Sequence, residues 1–255
     1  MKTSTNVARQ AWVPWVTTLA LLVLWQIVAM VLGSASLMLP APTAIAQSIG
    51  QHYDVIWPNA LQTLYTTGLG FGLAVALGMV FGLAIGASSL IYRGVYPLLI
   101  AFNAVPKVAL VPIFVLWFGI GTLPAVVTAF SLAVFPIIVN VATGLSTIDA
   151  EMEDVMRSLG ATRWDILTKV GIPRMAPYLF ASLKIAITLA FVGSVLSETI
   201  ASNEGIGFLM QAASSRFDVP LVFAGVIVIA AMAVIAYQLC EVIEGRFTHW
   251  AKRGK

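Results

Sequence analysis

Long apolar runs separated by short polar stretches dominate the chain. A helix that crosses a bilayer needs about 20 mostly apolar residues, because roughly 30 Å of hydrocarbon is crossed at about 1.5 Å per residue. Six stretches meet this requirement and predict six transmembrane helices, namely Pro14–Leu32, Leu61–Ala87, Pro97–Trp117, Leu123–Val141, Pro177–Ile200 and Val219–Leu239. The pattern predicts an all-α, polytopic membrane protein. Residues 1–255 form one domain, with a first span at 14–32, core spans at about 61–239 and a basic tail at 241–255.

One segment breaks this pattern. Nine of the chain's 25 charged residues lie between Asp149 and Arg174. Within it, apolar side chains recur at i, i+3, i+4 and i+7, which places them on one face of a helix; they are Met152, Val155, Met156 and Leu159. Residues 149–173, here named the acidic segment, therefore start with a short amphipathic helix.

The same segment carries stop and start signals for helices. Gly160 follows the last periodic residue and occupies the position of a C-terminal stop. Thr162 and Asp165 have the spacing of a capping box, which predicts a second helix, and Pro173 is expected to end it. The acidic segment is thus predicted to be two short helices that bend at Gly160 and Ala161.

Two interpretations of this segment remain open. An amphipathic connector resting among lipid headgroups would favour Lys and Arg on its polar face. The first helix instead carries Glu151, Glu153 and Asp154 against Arg157. This balance favours docking on a protein partner, with the apolar face in a cleft of that partner.

Composition and charge fit a membrane protein. The chain is 60% hydrophobic and 10% charged, and its mean hydropathy is +0.95. Cytoplasmic loops carry an excess of Lys and Arg. If the N-terminus is cytoplasmic, twelve basic residues fall on that side (Lys2, Arg9, Arg93, Arg157, Arg163, Lys169, Arg174, Lys184, Arg246, Lys252, Arg253 and Lys255) and only Arg216 falls outside. Both termini and the acidic segment are therefore expected in the cytoplasm. The basic excess is too small to indicate a nucleic acid partner.

Several kinds of chemistry are disfavoured. Cys240 is the sole cysteine, and His52 and His249 lie far apart in the sequence, so a metal site is not expected. An intramembrane enzyme would need a nucleophile and a base together in the spans, and no such arrangement is visible. An ion-gradient-driven transporter is a further alternative, but it would not need an acidic docking segment.

Two intramembrane charges stand out. Lys107 lies between Pro106 and Pro112 in the third span, which predicts either a broken helix lining a path or a lysine that reaches the inner headgroups. Glu198 lies near the outer end of the fifth span, as a functional group or as a carboxylate bonded to nearby backbone and hydroxyls. Small residues in the second span, Gly78, Gly82 and Gly86, predict close helix packing.

The acidic segment resembles the E-A-A-x3-G-x9-I-x-L-P motif, which marks permease subunits of binding-protein-dependent ATP-binding-cassette importers. Gly160 and Pro173 stand 13 residues apart, as the motif requires. Val170 and Ile172 take the isoleucine and leucine positions. The E-A-A triplet reads Asp154-Val155-Met156, so the carboxylate is retained and the small residues are replaced.

Other segments resemble one branch of this family. LPAPTAIAQSI, PKVALVPIFVLWFGIG and EGIGFLM are similar to segments of the nitrate, sulfonate and taurine permeases, a group that also includes permeases for thiamine pyrimidine precursors and riboflavin. Thr66 departs from this pattern, since many relatives place an arginine there.

The resemblance implies a type I importer permease in the bacterial cytoplasmic (inner) membrane. Its expected partners are a second permease copy, two ATPase subunits and an extracytoplasmic solute-binding protein. The chain is expected to bind no cofactor, while ATP and Mg are used by the partner ATPase; it has no G-x-x-x-x-G-K-[ST] loop. ATPase coupling is assigned by the resemblance to Asp154, Val155, Met156, Leu159, Gly160, Ala161 and Pro173, and the path or external gate to Lys107, Glu198 and Asn203.

Overall fold

The structure, a computed structural model, describes residues 12–32, 39–147 and 150–248. Those residues form helices and no strand. The helices are α1 Val13–Leu32, α2 Pro42–Gln51, α3 Tyr53–Gly86, α4 Ser89–Ala104, α5 Val111–Phe118, α6 Thr122–Ser146, α7 Ala150–Ser158, α8 Arg163–Ala201, α9 Ile206–Ser215 and α10 Val219–Phe247. A short 3-10 turn, Lys107–Leu110, joins α4 to α5. The all-α prediction is confirmed.

Helices α3, α6, α8 and α10 are long and apolar enough to cross a membrane. The predicted third span is a pair of helices, Leu90–Ala104 and Lys107–Phe118, bent by 71°. The bend lies at Val105 and Pro106, where the proline removes a backbone donor and its ring restricts the preceding residue. Within the described residues the first predicted span is a shorter apolar helix, Trp15–Val31. The six predicted spans thus correspond to four long helices, one broken pair and this shorter helix.

The core is formed where α6 lies between α3 and α8. Most of its buried residues are small or β-branched, including Ala129, Ala133 and Ile137 of α6 and Ala186 and Ala190 of α8. Such side chains let helix backbones approach closely, which is how helices associate in a membrane without a hydrophobic driving force between them.

The glycines of α3 face α6 directly. A Cβ at Gly82 would lie 2.6 Å from the Cβ of Val141, and one at Gly78 would lie 2.7 Å from Cγ2 of Ile137. These distances are shorter than van der Waals contact, so the close approach requires glycine. The prediction that this glycine row serves packing within the chain is confirmed.

A second cluster joins α2, α3, α9 and α10. Ile45, Ile56, Ile206, Leu209 and Ala224 are buried there. On another side of the bundle, Lys184 of α8 and Glu244 of α10 form an ion pair with a 2.8 Å N–O distance, and both side chains are mostly buried. A mostly buried charge without a partner is costly, so this pair ties the two helices together.

The structure corrects two predicted boundaries. Pro173 does not end the second helix of the acidic segment, because α8 continues from Arg163 through Pro173 and Pro177 to Ala201. A π turn, Leu167–Gly171, ends two residues before Pro173, and its wider i→i+5 bonding leaves room for the proline ring and its missing N–H. The last helix runs on to Phe247, so residues 241–247 belong to it and not to a separate tail.

Candidate functional site

The first helix of the acidic segment, α7, ends as the sequence predicts. Gly160 has a φ of +82°, a conformation that glycine adopts without steric cost. Its N–H donates to the carbonyl of Arg157 at 2.9 Å, and the N–H of Ala161 donates to the carbonyl of Met156 at 3.0 Å. This pair of bonds is a Schellman motif, which satisfies carbonyls at the helix end. The turn after α7 is therefore fixed by the chain itself.

The predicted capping box at the start of α8 is also confirmed. The N–H of Asp165 donates to Oγ1 of Thr162 at 3.2 Å, and the N–H of Thr162 donates to Oδ2 of Asp165 at 3.1 Å. Asp165 also pairs with Lys169 at 2.7 Å. Together, the stop and the cap hold α7 and α8 in one defined turn.

The apolar face of α7 has no partner in the described chain. Met152, Val155 and Leu159 are 46%, 59% and 79% exposed, and Met156 is half-buried. Trp164, at the start of α8, is 70% exposed. A helix held this firmly with its apolar face uncovered presents a surface that another molecule can bury.

The other residues assigned to coupling lie on α7, in the turn that follows it, or on α8. Asp154 and Gly160 are exposed, and Ala161 is half-buried. Pro173 is exposed but lies further along α8, beyond the π turn. Asp149, the first residue of the acidic segment, lies outside the described residues.

Lys107 sits at the break of the bent pair. Its Nζ donates to Oδ1 of Asn103 at 3.0 Å and to the carbonyl of Asn103 at 3.4 Å. The ammonium also lies over the ring of Phe135, 5.4 Å from its centroid. An amide and an aromatic face thus hold the cation, and the helix is broken at this position as one interpretation of the sequence requires.

Glu198 lies inside the protein, at the end of the bundle opposite the acidic segment. It is 1% exposed. Its Oε2 accepts from Oγ1 of Thr63 at 2.8 Å and from the N–H of Gly207 at 3.1 Å, and its Oε1 accepts from Oγ1 of Thr66 at 3.1 Å. Ser194 lies 3.4 Å from Oε1. One carboxylate therefore joins α3, α8 and the start of α9.

The turn before α9 is built around the same cluster. Gly205 has a φ of +104°, and a Cβ there would lie 2.3 Å from the carboxyl carbon of Glu198. Its N–H donates to Oδ1 of Asn59 at 2.7 Å, and the N–H of Ile206 donates to Oγ1 of Thr63 at 2.8 Å. The turn is thus held against α3 by backbone donors that side chains of α3 satisfy.

These contacts assign partners that the sequence did not reveal. Thr63 and Thr66 are three residues apart, so both face Glu198 from α3, but neither stood out in a chain rich in hydroxyls. Thr66, noted as a departure from many relatives, is one of the groups that bind this carboxylate. Asn203, predicted beside Glu198 at a gate, is exposed and lies outside the cluster.

No part of the described chain gathers three or more His, Cys, Asp or Glu side chains into a group that can hold a metal ion. The arrangement has two polar features at opposite ends of an apolar bundle, one exposed and one buried. Such a molecule is a multi-pass membrane protein in which the apolar face of α7 is exposed.

Residues 74–249 match the family model described as "Binding-protein-dependent transport system inner membrane component". The chain belongs to this family. It is a permease subunit of an ATP-binding-cassette importer, a transport subunit and not an enzyme. Family membership implies ATPase and solute-binding partners. It also argues against the two alternatives, an intramembrane enzyme and an ion-gradient-driven transporter.

The chain is similar to several named permeases. It is 31% identical to the Formylaminopyrimidine transport permease protein ThiX of Halalkalibacterium halodurans, over 96% of this chain and 98% of that protein. It is 30% identical to the Riboflavin transport system permease protein RibX of Chloroflexus aurantiacus (92% and 88%) and 28% identical to the Taurine transport system permease protein TauC of Escherichia coli (92% and 88%).

A solved structure shares the fold. The chain superimposes on an inward-facing structure of the MetNI methionine ABC transporter with a TM-score of 0.68 and 17% sequence identity, over 78% of this chain and 98% of that chain. The two chains therefore share the same arrangement of helices.

Proposed function

We propose that the acidic segment is the surface through which an ATPase subunit drives this permease. The assembly consists of two permease copies, two ATPase subunits and an extracytoplasmic solute-binding protein. ATP and Mg bind to the ATPase subunits. Closure of the ATPase pair pulls the acidic segment and switches the spans between inward-open and outward-open arrangements.

The observation that carries this proposal is the uncovered apolar face of α7. Each of its larger side chains contributes on the order of 1.5–3 kcal/mol when fully buried. Glu151 and Asp154 beside this face provide carboxylates for a basic rim on the partner. Asp154-Val155-Met156, Leu159, Gly160 and Ala161 form the docking surface, and Pro173 lies where α8 enters its long apolar stretch.

Leu159→Asp tests this docking. A carboxylate in an apolar cleft is strongly unfavourable, so we expect the variant to insert normally, to retain less ATPase on purification and to lose most ATP-driven uptake. Ser158→Asp is the matched control, because it adds the same charge at an exposed neighbouring position off the apolar face. Normal ATPase retention and uptake in Leu159→Asp would refute the docking role.

The path and its gate are proposed at the two intramembrane charges. Lys107 lies at the break of a bent span, a usual place for irregular backbone that lines a cavity. Glu198 and the nearby exposed Asn203 lie toward the outer end, where they control an external gate. In this role Glu198 acts by holding the turn at Gly205, because its carboxylate is occupied by contacts inside the chain.

The solute proposed first is a small polar or anionic compound of the nitrate, sulfonate or taurine type. A thiamine pyrimidine precursor or a riboflavin-like compound is the second candidate. Both classes have relatives of similar identity: 31% and 30% for the relatives named for formylaminopyrimidine and riboflavin, and 28% for the taurine permease.

The binding protein provides the test for the solute. It should be copurified with the transporter and its melting temperature measured with taurine, an alkanesulfonate, nitrate, formylaminopyrimidine and riboflavin. A rise with one class assigns the solute, because a ligand that binds only the folded state stabilises it by mass action. A rise with none of these compounds would exclude both candidates.

A further inference from the structure

A cavity of about 780 Å³ lies between α7 and the adjacent ends of α3, α4, α6 and α8. This volume falls within the range of roughly 300–1,000 Å³ that small-molecule sites occupy. Tyr92 and three arginines line it, together with Ser88 and Ser146. The cavity is thus at the end of the bundle that carries the acidic segment, at the level where the spans leave the apolar region.

The charge of this cavity is positive. Arg157 is paired with Glu153, four residues earlier on α7. Arg93 and Arg163 also line the cavity, and neither forms an ion pair within the part of the chain that the structure describes. The lining therefore carries three guanidinium groups against the single carboxylate of Glu153, which is paired with Arg157.

The cavity is separate from the proposed docking surface. At about 100° per residue along α7, Glu153 and Arg157 lie roughly two fifths of a turn around the helix from Met152, Val155 and Leu159, and Met156 lies between the two groups. An ATPase that covers the apolar face therefore need not fill the cavity, which opens toward the ends of the spans.

We infer that this cavity binds a phosphate group, supplied by the headgroup of an anionic phospholipid. Guanidinium groups bind phosphate oxygens through paired N–H donors, and the hydroxyl of Ser88 adds a further donor. The hydroxyl of Ser146 already donates to the carbonyl of Thr143, and that of Tyr92 lies 3.4 Å from Oγ1 of Thr143. Basic pockets between transmembrane helices on the cytoplasmic side are typical sites for anionic headgroups. A soluble phosphate compound shares the chemistry, but the position at the span ends favours a lipid.

Native mass spectrometry of the full-length chain, equilibrated with an equimolar mixture of phosphatidylglycerol and phosphatidylcholine, tests the site. We expect the wild-type chain to retain phosphatidylglycerol preferentially. A basic residue near a membrane surface contributes about fivefold to such binding, so Arg93→Gln/Arg163→Gln should weaken the preference roughly 25-fold. Both residues are exposed, so the double variant is expected to fold.

Two controls make the result specific. Arg216→Gln removes the same kind of exposed charge away from the cavity and should keep the preference. Arg93→Lys/Arg163→Lys retains the positive charge and should keep most of the preference for phosphatidylglycerol. An unchanged preference in the Gln double variant, or no preference in the wild-type chain together with no response to phosphate, overturns the proposal.

Inorganic phosphate at millimolar concentration separates the two sources. If it raises the melting temperature of the wild-type chain but not of the Gln double variant, and no lipid is retained, the phosphate site is supported and a soluble compound is its ligand. If phosphatidylglycerol is retained and phosphate has no effect, the lipid is its ligand. Neither measurement needs the ATPase, so failure here is distinct from failure of the docking proposal.

Discussion

Glu198 shows how one residue can join several helices. Its two carboxylate oxygens accept hydrogen bonds from α3 and from the backbone N–H at the start of α9. A buried donor left without an acceptor costs about 1–3 kcal/mol, so the energetic value of this carboxylate lies chiefly in the donors it satisfies. The sequence predicted that Glu198 lies near the outer end of a span. Its hydrogen-bond partners became known only from the structure.

Substitution of Glu198 separates a positioning role from contact with solute. We expect Glu198→Ala to lower the free energy of unfolding by about 3 kcal/mol, because the Gly207 N–H and the Thr63 hydroxyl lose their acceptor. The Thr66 hydroxyl can still donate to the carbonyls of Gln62 and Thr63. Glu198→Gln should cost about 1 kcal/mol, since its amide oxygen can still accept from Gly207 and its NH₂ can donate to hydroxyls. Unfolding in detergent provides the measurement.

Uptake assays complete this comparison. A positioning residue predicts that the loss of transport follows the loss of stability across the two variants. If Glu198→Gln instead leaves stability unchanged and raises the half-saturation concentration for solute, the carboxylate contacts solute directly.

At the scale of elements, the bundle depends on close contact between α3 and α6. Gly70, Gly78 and Gly82 of α3 each lie where an added Cβ would be less than 3 Å from α6. Gly72 lies on the same helix, and an added Cβ there meets nothing within 4 Å. The same helix thus contains glycines at which an added methyl group would clash and one, Gly72, at which it would not.

Gly82→Ala should therefore destabilise the protein by about 1–3 kcal/mol, the usual cost of overpacking. The clash is with Cβ of Val141, which cannot move without its backbone. Gly72→Ala should leave stability unchanged or slightly raised, since alanine favours helix over glycine by up to about 1 kcal/mol. Thermal unfolding of both variants, prepared side by side, decides the matter; equal melting temperatures would show that α3 and α6 can separate at no cost.

The helices could be predicted from the sequence to different degrees. The long spans followed from apolar length, and the Gly160 stop and the Thr162–Asp165 cap followed from local signals that depend on few residues. The run of α8 through Pro173 did not, because a proline is normally a stop and the π turn that accommodates it leaves no sequence mark. Contacts such as Thr63 with Glu198 join residues far apart in the chain, so no local pattern could reveal them.

At the scale of the whole molecule, the positive-inside rule orients the bundle. It places the acidic segment in the cytoplasm and the turn near Arg216 outside. The basic residues at positions 2, 9, 252, 253 and 255, on which the rule partly depends, lie outside the described residues. The orientation is therefore a prediction from the sequence.

Accessibility to a membrane-impermeant maleimide tests the orientation. Both variants carry Cys240→Ser, so that each has one cysteine. Ser215→Cys should be labelled in cells whose outer membrane or cell wall has been removed, and Ser158→Cys only after the cytoplasmic membrane is permeabilised. Both positions are exposed, so burial within the chain does not hide them. The reverse labelling pattern would invert the assigned topology.

The absence of a phosphate-binding loop in the sequence leads to a further prediction for the isolated chain. Purified without its partners, it should release no phosphate from ATP above a mock preparation from cells lacking it, and addition of the ATPase subunit should restore turnover. Sustained hydrolysis by the chain alone, copurifying with it through a second column, would contradict the assignment of ATP to a separate subunit.

The continuity of α8 has a mechanical consequence. Because the helix runs unbroken over 39 residues from Arg163 to Ala201, it is about 58 Å long, with Trp164 at one end and Glu198 near the other. A tilt of about 5° around its midpoint would displace each end by about 2.5 Å in opposite directions. If α8 moves as a rigid rod, a shift that opened the Glu198 contacts at one face of the membrane would need only a displacement of similar size at the other face.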